Sequence, residues 1–456
     1  MKALILLSSL GIISLFAEIF HFKKYLFTIV LIGLLATIYV TITEWGYNNT
    51  YYYMMKMDSL AVCFNVTILS TAFLWFVMSN NYIKEKTNIT DHFALVLFSL
   101  VGAVLLTSYS NLTMLFLGVE ILSIPLYVLA ASKKDDLFSN EAGFKYFLMG
   151  AFASGFLLFG IALIYGTTAS FDLQQIANYV EIHNRNIPGL FYTGILLTLV
   201  GLAFKISAAP FHFWAPDVYQ GSPTVVTAFM STIVKTAVFA AFMRLFKTCF
   251  VPVNDFWAST IMIMSALTMI VGNVTAVYQT NVKRMLAYSS ISHAGFMLIA
   301  ILSMNGLSNG SILYYTIAYS LSSIGAFAIV YIVSTAKSDE NIDAFNGLAK
   351  SNPVLALGMT IVMLSLAGIP PLAGFFAKYY IFVSAVQSHF VGLVIIAVIS
   401  SLIGVYYYFK IIIAMYFKEP SNESIKVDGL HNALLVVIII AIFAVGLFPG
   451  LIIQLI

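Results

Sequence analysis

Residues Gly201–Pro223 read GLAFKISAAPFHFWAPDVYQGSP, and the reading of this stretch decides the fold. It opens as the end of a long apolar helix, with Lys205 set among Leu, Ala and Phe. Pro210 follows within five residues, then His212, Trp214, Pro216 and Asp217, before Pro223 opens the next apolar run. A lysine at bilayer depth costs roughly 2.5–3.5 kcal/mol on insertion scales, so such residues face a bundle interior or a wet cavity. A proline break beside it frees backbone groups that need protein or water partners. Together they predict a polar passage inside a membrane protein.

Composition agrees. The 456 residues are 61% hydrophobic and 9% charged, with a mean hydropathy of +0.96, which excludes a soluble enzyme. Apolar runs of roughly 20 residues recur, each long enough to span a hydrocarbon core about 30 Å thick. Met1–Phe20 has one lysine and no small-residue cleavage site, so it reads as a first span and not as a signal peptide. Cys63 and Cys249 stand alone in apolar surroundings and make neither a disulfide framework nor a metal site. With no phosphate loop, CxxC pair, HExxH or haem signature, the chain is expected to hold no cofactor.

The pattern predicts an all-α polytopic membrane protein of about fourteen transmembrane helices with short connections. The expected spans are 3–20, 25–43, 57–79, 93–109, 111–131, 142–168, 187–209, 223–246, 256–279, 286–304, 309–335, 353–385 (broken), 391–417 and 431–453. The longest polar connections, near 170–187 and 337–352, leave no room for a soluble domain. Alternate loops carry Lys23, Lys24, Lys84, Lys86, Lys133, Lys134, Lys283 and Arg284, together with Lys337, Lys350, Lys418 and Lys426. The other set holds Lys2, Lys56, Arg185, Arg244 and Lys247. This bias predicts that the first set is cytoplasmic and that both termini lie outside.

Five lysines remain within or at the ends of spans. Lys410 is close to a helix end and reads as a snorkelling side chain. Lys145 follows Glu141 by four residues, which is as consistent with a helix-end ion pair as with a functional group. Lys205, Lys235 and Lys378 lie far from any basic loop and carry the functional reading. Glu120, in MLFLGVEILSIPLYVL, is the acidic counterpart, and with Thr113, Ser123 and Tyr127 it forms one helix face. Thr224, Thr227, Ser231 and Lys235 repeat this pattern, and Ser289 and His293 stand four apart in YSSISHAGF. A single stripe could be interhelical glue. Three stripes, two of them ending on an ionisable group, predict the walls of a hydrated path. Glu18 and Asp58 sit at span ends and read as interfacial.

A second break lies in Ser365–Phe382, SLAGIPPLAGFFAKYYIF, where Pro370 and Pro371 precede Lys378. In the first break the prolines follow the lysine. Two Pro/Gly-interrupted spans of opposite order, five spans apart, predict an inverted five-helix repeat.

The segments LGVEILSIPLYVL, FKISAAPFHFWAPDVYQGSPTVVTAFMSTIVKT, NVKRMLAYSSISHAGF and LAGIPPLAGFFAKYYIF resemble the antiporter-like subunits of respiratory complex I, the NADH-quinone oxidoreductase. The resemblance covers nearly the whole chain. It implies fourteen helices with two inverted five-helix repeats, each with a broken helix. These would fall at 93–250 and 251–420 within one membrane domain, flanked by N-terminal helices at 1–92 and a C-terminal helix at 421–456. It places the family's helix-5 glutamate on Glu120 and its lysines of helices 7, 8 and 12 on Lys205, Lys235 and Lys378. Weaker correspondences are Lys145, His212, His293 and Tyr407. Lys378 replaces the glutamate of one sister subunit, and the chain stops at Ile456 without the long lateral helix of another; both departures favour the subunit N branch.

The implied function is proton translocation coupled to electron transfer from NADH to quinone, as one subunit of a proton-pumping translocase in a bacterial inner membrane. NADH, FMN, iron–sulfur clusters and quinone would belong to partner subunits, and no redox centre to this chain. Partners would be other membrane subunits, lipid, protons and ordered water, with no nucleic acid. Desolvation favours the neutral form of a lysine and a nearby carboxylate favours the charged form, so Glu120 and Lys205 are expected to act as a switchable pair. Lys235 would relay, Lys378 would release, and His293 would bridge. Each charge moved against 100 mV requires about 2.3 kcal/mol, which a partner must supply. Two rivals are an Mrp-type sodium/proton antiporter subunit, driven by an ion gradient, and a non-transporting scaffold, which would gain nothing from intramembrane charges.

Overall fold

The computed structural model describes residues 1–86, 88–183, 186–419 and 425–456. Helices α1 (Lys2–Phe16) and α2 (Leu26–Ile42) precede a small antiparallel hairpin, β1 (Asn49–Tyr51) and β2 (Met55–Met57). Helices α3 (Ser59–Lys84), α4 (Ile89–Ser108), α5 (Leu112–Ala130) and α6 (Leu137–Thr168) follow. Then come a surface helix α7 (Leu173–His183) and the first broken pair, α8 (Gly189–Lys205) and α9 (Trp214–Gly221). The next span is one continuous rod: α10 (Thr224–Phe229), a π-helical turn over Met230–Val234, and α11 (Lys235–Leu245). Helices α12 (Asn254–Val277), α13 (Val282–Ser303), α14 (Ser308–Lys337) and a short α15 (Leu348–Ser351) lead to the second broken pair, α16 (Pro353–Ala367) and α17 (Ala373–Gln387). Helices α18 (Val391–Phe417), α19 (Gly429–Leu447) and α20 (Gly450–Ile453) complete the chain.

Among the described residues, ten helical stretches are long and apolar enough to cross a membrane, and three further apolar helices are shorter. The chain is a multi-pass membrane protein. Side-chain caps set where many of these helices begin. Asp58 accepts from the Ala61 amide, Asn111 from Thr113, Asp136 from Phe138, Asn281 from Arg284 and Asn352 from Leu355. Each satisfies an amide that has no partner within its helix. Close backbone approach depends on glycine: a Cβ on Gly102 of α4 would collide with the Leu122 amide nitrogen of α5.

Helices α13 and α14 are almost wholly buried, and with α10 and α11 they form the interior. Helices α6 and α18 keep broad exposed apolar faces, including Phe147, Phe152, Ile399 and Leu402, as lipid or a neighbouring helix requires. One rim of the bundle gathers Lys86, Lys133, Lys283 and Lys418: Lys86 donates to the Ser132 carbonyl, Lys283 pairs with Glu340 and Lys418 with Asp343. The Lys418 ammonium and the Asn346 amide hold the Asp343 carboxyl below its usual range. Both termini lie at the opposite rim, where Met1 is close to Glu44 and Ile453 packs on Gly310. Arg244 is at that rim too, bonded to Asp58, whereas Arg185 lies outside the described residues.

Two features were not expected from sequence. The polar connection at 170–187 contains α7, buried on one side through Leu173, Ile176 and Val180. The π-helical turn interrupts the stripe of Thr224, Thr227, Ser231 and Lys235 immediately before its lysine.

Candidate functional site

Helix α8 ends on Lys205 itself, and the turn 206–213 separates it from α9. The Lys205 side chain is buried, and its Nζ donates to Ser123 Oγ at 2.8 Å and Tyr127 OH at 3.1 Å. It also stands 5.4 Å from the centre of the Tyr127 ring and 5.8 Å from that of Tyr146. The carboxyl end of α8 adds the negative end of a helix dipole. Ser123 and Tyr127 are the stripe predicted on α5, but Thr113 is exposed at the helix start and takes no part.

Glu120 does not touch Lys205. Among the described residues no ion pair to Glu120 forms within 4.0 Å, and its Oε1 is buried without a hydrogen bond. It remains close enough to act on Lys205 electrostatically. The expected pair is therefore parted here, because the hydroxyls of Ser123 and Tyr127, one and two turns along α5 from Glu120, accept the ammonium hydrogens.

Lys235 opens α11 directly after the π-helical turn, 1% exposed, and donates to the Ser290 carbonyl of α13 at 2.6 Å. One turn along α13, His293 is gripped at both ring nitrogens: Nδ1 by Tyr315 OH of α14 at 2.7 Å and Nε2 by Tyr408 OH of α18 at 3.2 Å. Tyr408 also bonds Ser289 Oγ at 2.5 Å. His293 faces both Lys235 and Lys378. Tyr407, beside Tyr408, Ser289 and Ser292, donates its hydrogen to Asn273 Oδ1 of α12 at 2.9 Å and makes no bond to His293.

Lys378 lies on α17, but its Nζ reaches back to the Ala367 carbonyl at 2.7 Å and to Ser401 Oγ of α18 at 2.8 Å. Ala367 is the last residue of α16, which turns away through Gly368 at φ +87°. Both broken helices thus hold an ammonium at the carboxyl end of their first half, Lys205 by position and Lys378 by reach. The reversed order of lysine and proline in the two sequences is what makes these different routes necessary.

Lys145 is not in this interior. Its side chain, 38% exposed, pairs with Glu141 at 2.6 Å and with Asp217 at 3.0 Å. Asp217 also accepts from Arg284 at 2.8 Å, and these groups line a rim cavity of about 350 Å³ together with Lys133 and Glu340. His212, on the turn after α8, packs at a tilt against the Phe213 ring, and its Nδ1 makes no hydrogen bond. Lys410 reaches the Gln279 carbonyl at 3.3 Å and lines a surface cleft with Lys418, Asp339 and Asp343, as a snorkelling lysine would. Lys410→Ala is expected to change proton transport by the assembled complex less than about twofold. A loss equal to that of Lys235→Ala would place Lys410 in the path.

The sequence reading missed Tyr315 and Tyr408. The spacing Tyr315, Tyr319, Ser322 on α14 was a readable polar stripe, but the choice within Tyr406–Tyr408 required the structure.

The sequence pattern of the NADH:quinone oxidoreductase/Mrp antiporter transmembrane family matches residues 110–404. The chain is 44% identical to the NADH-quinone oxidoreductase subunit N of Cytophaga hutchinsonii, over all of this chain and 99% of that one. It is 46% identical to the subunit N of Flavobacterium psychrophilum over the whole of both. Among solved structures, a chain of respiratory complex I from Thermus thermophilus with bound aureothin superposes with a TM-score of 0.85 at 32% identity, covering 99% of this chain and 98% of that one. With likeness of this extent from end to end, and a buried row of lysines behind it, this chain belongs to the subunit N branch of the NADH:quinone oxidoreductase/Mrp antiporter family.

Proposed function

We propose that this chain carries protons through the membrane arm of an NADH:quinone oxidoreductase, driven by electron transfer from NADH to quinone in partner subunits. The observation that carries the reading is the buried row of Lys205, Lys235, His293 and Lys378, none of them paired with a carboxylate at 4.0 Å among the described residues. Three ammonium groups held by hydroxyls and carbonyls can give up a proton without leaving an anion stranded. Glu120 and Lys205 load the path, Lys235 relays and Lys378 releases. Lys145, with Asp217 and Arg284, forms the rim from which protons are drawn, and His212 and Tyr407 flank the path.

NADH, FMN, the iron–sulfur clusters and quinone belong to the partner subunits, and this chain holds none of them. It sits in a bacterial inner membrane with both termini on the periplasmic side. The basic rim then faces the cytoplasm, in keeping with the positive-inside rule.

The test is to tag the chain, extract it in mild detergent and assay the purified material for NADH-dependent quinone reduction, identifying its companions by mass spectrometry. Activity with companion subunits of complex I is the expected result. A small assembly without NADH oxidation but with sodium-dependent exchange would overturn the assignment in favour of an Mrp-type antiporter.

A further inference from the structure

We propose that Tyr408 and Tyr315, acting through the two nitrogens of His293, form the relay between Lys235 and Lys378, and that Tyr407 is not part of it. The inference deepens the proton-carrying reading above and rests on it. Four side chains from three helices make one unbroken series: Ser289 Oγ to Tyr408 OH at 2.5 Å, Tyr408 OH to His293 Nε2 at 3.2 Å, and His293 Nδ1 to Tyr315 OH at 2.7 Å. All are buried. The series starts one residue from the carbonyl that holds Lys235. On the His293 side Lys378 stands 5.3 Å from the Phe296 ring centre, and that ring packs edge-on against the imidazole.

The chemistry of the groups suits this task. A hydroxyl both donates and accepts, and a neutral imidazole donates from one nitrogen while accepting at the other. When a proton reaches Ser289 Oγ, the serine passes its own hydrogen to the Tyr408 oxygen. Tyr408 passes its hydrogen to His293 Nε2, and the hydrogen on Nδ1 leaves for the Tyr315 oxygen. Tyr315 then releases one proton, for which the Lys378 amine is the base. Each atom gains one proton as it loses one, and no net charge stays on the ring.

Tyr407 lacks this geometry. Its hydroxyl lies beside Ser289, Ser292 and Tyr408, but its one hydrogen goes to Asn273 Oδ1, whose own amide donates to the Met269 carbonyl, so this bond ties α18 to α12. Tyr407 and Tyr408 are neighbours in sequence, and only the second of them bonds His293.

The test compares Tyr408→Phe, Tyr315→Phe, Tyr407→Phe and Lys235→Ala in the whole complex, reconstituted in liposomes, reading NADH oxidation and proton uptake together. Tyr408→Phe and Tyr315→Phe are expected to lose at least half of what Lys235→Ala loses, and Tyr407→Phe to stay within twofold of the unmodified complex. Normal uptake in Tyr408→Phe, or an equal loss in Tyr407→Phe, overturns the inference. If Lys235→Ala also pumps normally, the proton-carrying reading itself has failed, which is a different outcome. Should the Phe variants not assemble, Tyr408→3-fluorotyrosine keeps the shape while making the hydroxyl more acidic. The expected result is then a shift of the pH profile of proton uptake to lower pH, and an unmoved profile overturns the inference.

Discussion

Lys235→Ala is expected to lower NADH-driven proton pumping about tenfold or more while leaving the complex assembled. Lys235 is the most deeply buried of the three interior lysines and its ammonium has one hydrogen-bond partner among the described residues, the Ser290 carbonyl. Truncation removes the titrating group between Lys205 and His293, and a carbonyl cannot carry a proton in its place. A positioned acid–base group contributes roughly 10²–10⁴ in rate, of which water in the vacated space can restore part. Lys235→Arg sharpens the test. Arginine keeps the charge but does not deprotonate in a protein, so it should fail as badly as alanine. Pumping is read by dye quenching in liposomes against NADH oxidation, with assembly checked on native gels. Full pumping in the arginine variant would mean that Lys235 supplies only a fixed positive charge.

Arg244→Ala is expected to cost roughly 3 kcal/mol or more in stability, without any direct effect on the proton path. Arg244 grips Asp58 with both terminal nitrogens, at 2.9 and 2.7 Å, and its Nε donates to the Thr107 carbonyl at 3.0 Å. One guanidinium thereby ties α11 to the junction between the end of β2 and the start of α3, and to the end of α4. Removing it strands a mostly buried carboxylate, which costs more than the surface pair worth 0–1 kcal/mol. Burial pushes the Asp58 carboxyl up, but the hydrogen bonds and charge of Arg244 outweigh this and hold it below its usual range. A carboxyl lowered in the folded state contributes stability above its unfolded pKa, and that contribution is lost as pH falls through the folded value. The variant should therefore differ from the unmodified protein at neutral pH and converge with it in strong acid. Thermal unfolding in detergent across pH reads this out. A deficit below about 1 kcal/mol at neutral pH would reduce the contact to an ordinary surface pair.

The spans and both breaks were legible because each rests on a strong local signal: apolar length for the first, proline and glycine for the second. Lys205, Lys235 and Lys378 stood out for the same reason, as charges where composition forbids them. Contacts across helices were not legible. The parted state of Glu120 and Lys205 depends on Ser123 and Tyr127 arriving at the same height as the end of α8, and no sequence spacing encodes that. The choice of Tyr408 over Tyr407 turns on the rotation of α18 about its own axis. The π-helical turn was hidden too, since MSTIV carries no proline or glycine to announce it. Lys145 was balanced between two roles in the sequence, and its cross-helix bond to Asp217 places it at the rim.

Asp217 belongs to the first broken helix, and its carboxylate is shared between Lys145 of α6 and Arg284 at the start of α13. Elsewhere on the same seam the Ala209 amide donates to Thr268 of α12 at 2.8 Å, and Lys235 holds the Ser290 carbonyl. The segments proposed as repeats are stitched together through the very groups that would move protons. Many secondary transporters change access by rocking one rigid body against another. Here such a motion would tear out the stitches that define the path. The frame is instead suited to stay still, with side-chain rotations and shifts of water over a few ångströms opening one side after the other, as in a lock whose gates swing while its walls stand.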